Sequence, residues 1–450
     1  MAHYLLDTLA QRSSDFRTIS KRLDQFWRRD FSAMADIIKD LFPNSYDRRV
    51  QRDIPLVERV AKEQAVFYRR KPTRVFRTTE GEAMGDGAQA ALGRVYAALG
   101  VDEMMKELNE RAIVQRTVIG VILPRPGDEQ RRLAIKLFSP WECEVDPDPV
   151  SNQSISSARE FRFRFPMSAS HDRISFGTLK INAREAVYQV NGKRTGVFNE
   201  EGTNPLPGYP IFVARFGPAN PGDFFASLPT DLLDATVAAN LALSDLDYVS
   251  RYSSHGQWVL KNADLSHARD LRFGPDTVVG LMAEQELTAV SAGNSTADYL
   301  ASVEAHLRLF ANMNAMNPTV FLKSGWSTGV SKSFDLMDRD AIRQDHRLAL
   351  ESAEQSFLRA LLMVMNYNAG EERWPATVVD VTHHEPATPA DPLALAQSRR
   401  VSMEDGITSP SEVISQDRMV SPEAAREIMM ANLEEYRSVR EALADEDGSA

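Results

Sequence analysis

The stretch TDLLDATVAANLALSDLDYVSRYS, residues 230–253, decides how this chain is read. Pro229 stands just before it and Gly256 just past its end, the punctuation that starts and stops a helix. Within it, Leu232, Leu233, Leu241 and Leu246 alternate with Ala235, Ala238, Ala239 and Ala242 and with the aspartates Asp231, Asp234, Asp245 and Asp247. A helix so rich in small and acidic residues carries too little apolar surface to be a self-sufficient core element. A comparable helix is predicted over 296–315, ending before Pro318, and between the two lies a short insertion with the strand-like segments QWVLKN (257–262) and DTVVGLM (276–282). Two helices bracketing a small β-rich module make a stalk-and-tip pattern.

Toward the N-terminus the chain is predicted first as β-rich, then as helical. TVIGVILP and RLAIKLF, joined by Arg125-Pro126-Gly127-Asp128, read as a hairpin. REFRFRF (159–165), SFGTLKINAR (175–184), EAVYQVNGKRTGVF (185–198) and IFVARF (211–216) follow as strands, with Asn191-Gly192 as a tight-turn signal. Upstream, Leu23, Phe26, Trp27, Phe31, Met34, Ile37, Ile38 and Leu41 recur every three or four residues, the stripe of a buried helix. Further helices are expected from Pro55 to Tyr68, from Ala88 to Leu99 and from Asp102 to Gln115, with Gly100 as a C-cap.

Toward the C-terminus, FLKSGWSTGVSKS (321–333) reads as a polar loop leading into a long helix over 334–367 with Leu350, Phe357, Leu358, Leu361, Leu362 and Met365 on its apolar face. A short strand at 376–382, a Pro-rich linker (HHEPATPADP) and a small helical unit complete the chain. In that unit Ser409-Pro410-Ser411-Glu412 forms a capping box, and the final ALADEDGSA is expected to fray.

Composition excludes several classes. With 43% hydrophobic and 26% charged residues the chain is globular, and its 450 residues suffice for a sizeable core. The start has no basic, then apolar, leader, and no apolar run approaches the roughly 20 residues of a membrane span, so a soluble protein is expected. The single cysteine, Cys143, excludes an intrachain disulfide and fits a reducing cytoplasm. A net charge of −11, from 52 Lys+Arg against 63 Asp+Glu, excludes a polycationic nucleic-acid binder, so any DNA contact must be local or weak.

Candidate chemistry is sparse. Gly325, Gly329, Lys332 and Ser333 suggest a phosphate loop, but three residues lie between these glycines where such a loop needs four, and Val330-Ser331 separate the second glycine from the lysine. His383-His384-Glu385 offers metal-ligand types, yet neighbours in an extended segment point to opposite faces, and a surface linker is expected. Asp338, Asp340, Asp345 and His346 alternate with Arg339, Arg343 and Arg347, as on a solvated, ion-paired helix face. Glu142, Glu144, Asp146 and Asp148 read as an acidic turn, and the carboxylates beside Cys143 oppose thiolate formation. Neither a Gly-x-Ser-x-Gly elbow nor a dinucleotide fingerprint is present. The expectation is a non-enzymatic protein without cofactor or metal.

The order of these elements resembles the portal proteins of tailed bacteriophages. The resemblance rests on Ile54-Pro55-Leu56-Val57 leading into a helix that ends Phe67-Tyr68-Arg69-Arg70-Lys71-Pro72, on Tyr209-Pro210-Ile211-Phe212 in the β-rich part, on the helix–module–helix unit, on Ser324-Gly325 to Ser333 before the long helix, and on the C-terminal helices. It implies an α+β portal-like fold: a wing over 1–227, stem helices over 228–253 and 296–317, a small α/β clip over 254–295, a tunnel loop over 318–333, a wing helix and strand over 334–387, and a crown over 388–450. It also implies a ring, usually of twelve copies, at one capsid vertex of a virion assembled in the host cytoplasm. Double-stranded DNA would pass through its channel during packaging and ejection, with the terminase large subunit, major capsid or scaffold proteins and a head–tail adaptor as partners. Lys323, Trp326 and Lys332 would face DNA at the tunnel loop, and Asp231, Asp234, Asp245 and Asp247 would form an acidic face on the stem. The alternatives are a metal- or nucleotide-dependent enzyme with its site between the β-rich middle and the long helix, and an oligomeric scaffold without a DNA channel.

Overall fold

The computed structural model describes residues 2–30, 32–43, 53–124, 133–170, 173–190, 192–253, 257–261, 286–290, 296–314, 316, 329–371, 373–383, 392–418 and 422–447. Helices α1 (Ala2–Trp27), α2 (Ser32–Leu41) and α3 (Leu56–Gln64) precede strand β1 (Thr73–Thr78), and α4 (Asp86–Leu99) and α5 (Val101–Gln115) follow it. Then come β2 (Thr117–Pro124), β3 (Leu133–Phe138), β4 (Cys143–Asp146), β5 (Glu160–Ser170), β6 (Arg173–Asn182), β7 (Ala186–Val190), β8 (Lys193–Gly196) and β9 (Ile211–Arg215). Next are α6 (Thr230–Ser253), β10 (Gln257–Lys261), β11 (Glu286–Val290), α7 (Thr296–Met313), α8 (Gly329–Ala369) and β12 (Thr377–Thr382). Helices α9 (Pro392–Glu404), α10 (Pro410–Arg418) and α11 (Pro422–Asp447) close the chain. Mixed helices and antiparallel sheets make the protein α+β. The contacts divide it into residues 1–384 and 385–450.

In the larger unit β3-β2-β9 form one antiparallel sheet and β4-β5-β6-β7-β8 a meander. The predicted hairpin β2–β3 is present, with Ile119 opposite Phe138; its connecting Arg125-Pro126-Gly127-Asp128 lies outside the described residues. The meander's β7–β8 turn passes through Gly192, whose φ of 79° suits a tight hairpin. Phe161 and Phe163 point inward from β5, as its alternation predicts.

The second half of α8 is the axis of the core. Leu350, Phe357, Leu358 and Leu361 are fully buried, and the helix packs against β9, β12 and β2. Phe212 of β9 meets Phe357 edge to face at 5.1 Å. The Phe212 ring fits only because β2 has Gly120 beneath it; a Cβ there would lie 2.0 Å from the ring.

Strand β1, which the sequence reading missed, pairs antiparallel with β12, Thr73 opposite Thr382. Both outer edges of this two-stranded ribbon are closed by amide side chains. Gln89 accepts from Phe76 N at 3.0 Å and donates to its carbonyl at 2.6 Å. Gln355 accepts from Val379 N at 2.8 Å and donates to the Thr377 carbonyl at 3.3 Å. Each amide does the work of a third strand, so the edges present no template for further pairing.

Several helix boundaries differ from expectation. The stripe from Leu23 to Leu41 is two helices: Arg29 is left-handed (φ 58°), and the Asp30 carboxylate accepts from Ser32 N at 3.0 Å, starting α2 anew. Helix α3 stops at Gln64, and Tyr68 beyond it also has a positive φ, 59°. Gly100 does cap α4 in the left-handed conformation. Helix α8 begins at Gly329 rather than at 334, since nothing in Val330-Ser331-Lys332-Ser333 breaks a helix. The DTVVGLM segment lies outside the described residues; the partner of β10 is β11, Trp258 opposite Ala289.

In the smaller unit α10 begins on the predicted capping box: Ser409 N donates to the Glu412 carboxylate at 2.8 Å, and Glu412 N to Ser409 Oγ at 3.2 Å. Helix α11 packs on α10 and continues through Asp447, into the segment expected to fray.

Candidate functional site

Helices α6 and α7 pack antiparallel, so that Ala239 of α6 shares a small apolar cluster with Val303 and Leu307 of α7 and with Leu56 of α3. Nearer the start of α6, Asp231, Ala235 and Ala238 line a hollow of about 100 Å³ opposite His306 and Phe310. Ala235 and Ala239 set this spacing, because two backbones approach closely only where side chains are small, while Ala238 is exposed. Leu232 and Leu233 anchor the base of α6 in the main core. One turn on, Thr236 Oγ donates to the Leu232 carbonyl at 2.7 Å, Asn240 Nδ2 to the Thr236 carbonyl at 3.0 Å, and Ile54 N to Asn240 Oδ1 at 2.6 Å. That relay ties the pair to the chain just ahead of α3.

On α6, Asp231 and Asp234 are exposed, while Asp245 and Asp247 are half-buried. With 3.6 residues per turn, Asp231, Asp234 and Asp245 fall within about 60° of one another, and Asp247 falls on the opposite side. The expected acidic face therefore comprises the first three residues and excludes Asp247. Counting residues per turn along 230–253 was enough to find this. Of the expected tunnel-loop residues, Lys323 and Trp326 lie outside the described residues, and Lys332 belongs to the first turn of α8 instead of a loop.

Below the base of the pair, α5 turns straight into β2 through Arg116, left-handed at φ 56° without being glycine, whose carbonyl accepts from Phe216 N at 2.7 Å. Burial pushes the Arg116 guanidinium below its ordinary range, and the charge of Asp231 opposes that shift. Phe216 stacks on His346 of α8, ring centroids 4.2 Å apart and 13° from parallel. His346 is 4% exposed. Burial first, and the Arg116 charge second, push its pKa down to about 4. The solvated face expected at Asp345-His346 is thus corrected for His346, which enters the core because Phe216 supplies an aromatic platform.

Further along α8, Glu354 is fully buried beneath the β1–β12 ribbon. Tyr68 Oη donates to its Oε2 at 2.5 Å and Arg74 Nε to its Oε1, while Arg74 Nη1 reaches Asp102 at 2.6 Å. Burial pushes the Glu354 carboxyl up, against the pull of Arg74 and Tyr68. Burial opposes the Arg74 charge as well, but Glu354 and Asp102 hold that guanidinium above its usual value. Tyr68, whose hydroxyl makes this bond, is left-handed at φ 59°. No sequence signal marks this network, since Tyr68 and Glu354 are separated by 286 positions.

Those of the remaining chemical candidates that lie among the described residues take places in the packing and capping of the fold. His383 is not in a surface linker: it is 7% exposed and meets Phe67 and Tyr68 edge-on at 5.1 and 4.8 Å. His384 and Glu385 lie outside the described residues. The acidic run is not one turn. Glu142 closes a capping box with Ser139, accepting from its N at 2.9 Å; Glu144 in β4 pairs with Arg17 and Arg164; and Asp148 caps Val150 and Ser151. Burial, with Glu142 adding to it, pushes the Cys143 thiol well above its ordinary value. Among the described residues no cluster of His, Cys, Asp or Glu could hold a metal ion, and no helix is long and apolar enough to cross a membrane.

No protein-family model and no curated protein matches the sequence. Among solved structures the chain is similar to one chain in the virion of a native gene transfer agent particle. The identity is 12% and the TM-score 0.40, over 84% of this chain and 91% of that one. It is similar also to a chain from the neck of an empty gene transfer agent particle, at 13% identity and a TM-score of 0.35, over 79% and 87% of the two chains. Likeness of this degree assigns no family.

Proposed function

We propose that this protein is a portal-type ring subunit of a tailed-phage-like particle, a non-enzymatic conduit for double-stranded DNA at one vertex of the capsid. The observation that carries the reading is the helix pair α6–α7: joined through the β10–β11 pair, packed on the main core through Leu232 and Leu233 and on α3 through Ala239, with exposed Asp231 and Asp234 and with Leu300 and Leu309 46% and 59% exposed. A helix pair with uncovered apolar positions and small residues suits packing against further copies in a closed ring, each copy covering apolar surface of the next.

The acidic face suits a channel. Each neutralised phosphate adds salt-dependent affinity, so a basic lumen would hold DNA, whereas Asp231, Asp234 and Asp245 would let it slide. Lys323, Trp326 and Lys332 remain our candidates for contact at the constriction. Terminase, capsid or scaffold proteins and a head–tail adaptor are the partners this role requires, with the virion as its site of action.

Electron microscopy of the purified chain tests the proposal. Ring-shaped end views with an axial hole wide enough for duplex DNA are expected. A stable monomer at micromolar concentration, or rings without an open channel, would overturn it, the latter in favour of a scaffold.

A further inference from the structure

A groove of about 1020 Å³ opens where the loop through Pro205-Leu206-Pro207-Gly208 crosses the second half of α8 and the start of β12. Its walls are largely apolar, with Leu206, Tyr209, Leu362, Met363 and Trp374 among them. Among the described residues lining it, the one charged side chain is Arg359. Arg359 is exposed and makes no hydrogen bond or ion pair with the described residues, unlike Arg347 on the same helix and Arg74 on β1, which are paired.

The groove is held open by bonds that are already made. Asn366 donates to the Trp374 carbonyl at 2.8 Å and accepts from its N at 2.9 Å, fixing the far wall. Tyr209 Oη donates to the Ala158 carbonyl at 2.8 Å, fixing the near one. Gln355 occupies the edge of β12, so a ligand cannot dock here by adding a strand and has to be recognised through its side chains.

We infer that this groove docks an extended segment of a partner protein that presents apolar side chains and one carboxylate, the carboxylate seated on Arg359. A guanidinium without a partner among the described residues, beside an apolar trough, selects a planar anion that brings hydrophobic neighbours with it. A small polyanionic ligand would need several convergent polar groups, and the lining provides a single cation. The inference does not depend on ring formation, because the groove belongs to one copy.

The test is selection of a displayed random-peptide library on the full-length protein. The expected binders carry Asp or Glu flanked by Leu, Phe or Trp, and their affinity, read by fluorescence polarisation, falls about tenfold or more in Arg359→Glu and much less in Arg359→Lys. Selection repeated on Arg359→Glu is expected to return Lys- or Arg-bearing peptides. Unchanged thermal melting of both variants separates lost docking from lost fold, Arg359 being exposed. Binders indifferent to Arg359→Glu, the absence of any consensus, or occupation of the groove by a fluorescent fatty acid with no peptide enrichment would each overturn the inference.

Discussion

Helix α8 and the α6–α7 pair treat polar residues in opposite ways. Helix α8 carries Glu354 and His346 into the core and gives each a neighbour from another element: Arg74 and Tyr68 for the carboxylate, Phe216 for the imidazole. The pair keeps Asp231 and Asp234 at the surface and leaves Leu300 and Leu309 uncovered. A charge can be buried where several segments of one chain converge to compensate it. Leu300 and Leu309 of the pair have no such cover among the described residues, and under the ring proposal a neighbouring copy would supply it.

That contrast is open to direct attack. The largest effect is expected at Glu354: Glu354→Ala strands the Arg74 guanidinium and should cost about 3–5 kcal/mol in denaturant unfolding, with Glu354→Gln milder because it keeps the Tyr68 bond. Equal, small losses for both would show that the network contributes little. The next effect is a pH dependence. His346 titrates at about 4 against an ordinary 6.5, so the unfolded state binds the proton first as pH falls. Stability present above pH 6.5 should drop by about 3 kcal/mol as pH approaches 4, and that component should vanish in His346→Phe.

Gly120→Ala comes third. A Cβ in contact with the Phe212 ring should cost about 1–3 kcal/mol by displacing Phe212 from Phe357. The smallest effect is expected on the pair itself: Ala238→Glu at an exposed position should change the stability of the isolated chain by less than about 0.5 kcal/mol. Under the ring proposal the same variant should lower the assembled fraction in sedimentation. An Ala238→Glu chain that assembles normally would remove that surface from the interface.

Much of the layout was legible along the chain. Pro229 and the small, acidic texture that follows placed α6 where it is, and the alternation of Phe161, Phe163 and Phe165 marked β5. These are local signals: a helix stop or a two-residue period needs no distant partner to be read. The failures share a cause. Strand β1 has only the modest alternation of TRVFRT, and it becomes a strand because β12, three hundred positions away, lies beside it. The break at Asp30 was hidden inside a continuous apolar stripe, since an Asx-type bond can interrupt a helix without altering the pattern of hydrophobic residues.

The candidate site divides along the same line. Asp231, Asp234 and Asp245 could be assigned to one side of α6 by counting alone, because helical periodicity is a property of the sequence once the helix is known. The uncharged surroundings of Arg359, the stacking of His346 on Phe216 and the burial of His383 could not. Each depends on segments brought together by the packing of α8 against its sheets. By itself, then, the sequence determined the order of helices and strands, the acidic composition of α6 and the scarcity of catalytic motifs, all of which reside in short windows. Only the tertiary structure decided which charges are paired, which histidines are buried and where a cation without a partner among the described residues borders an apolar groove, because desolvation and pairing are set by neighbours that the chain's linear order does not specify.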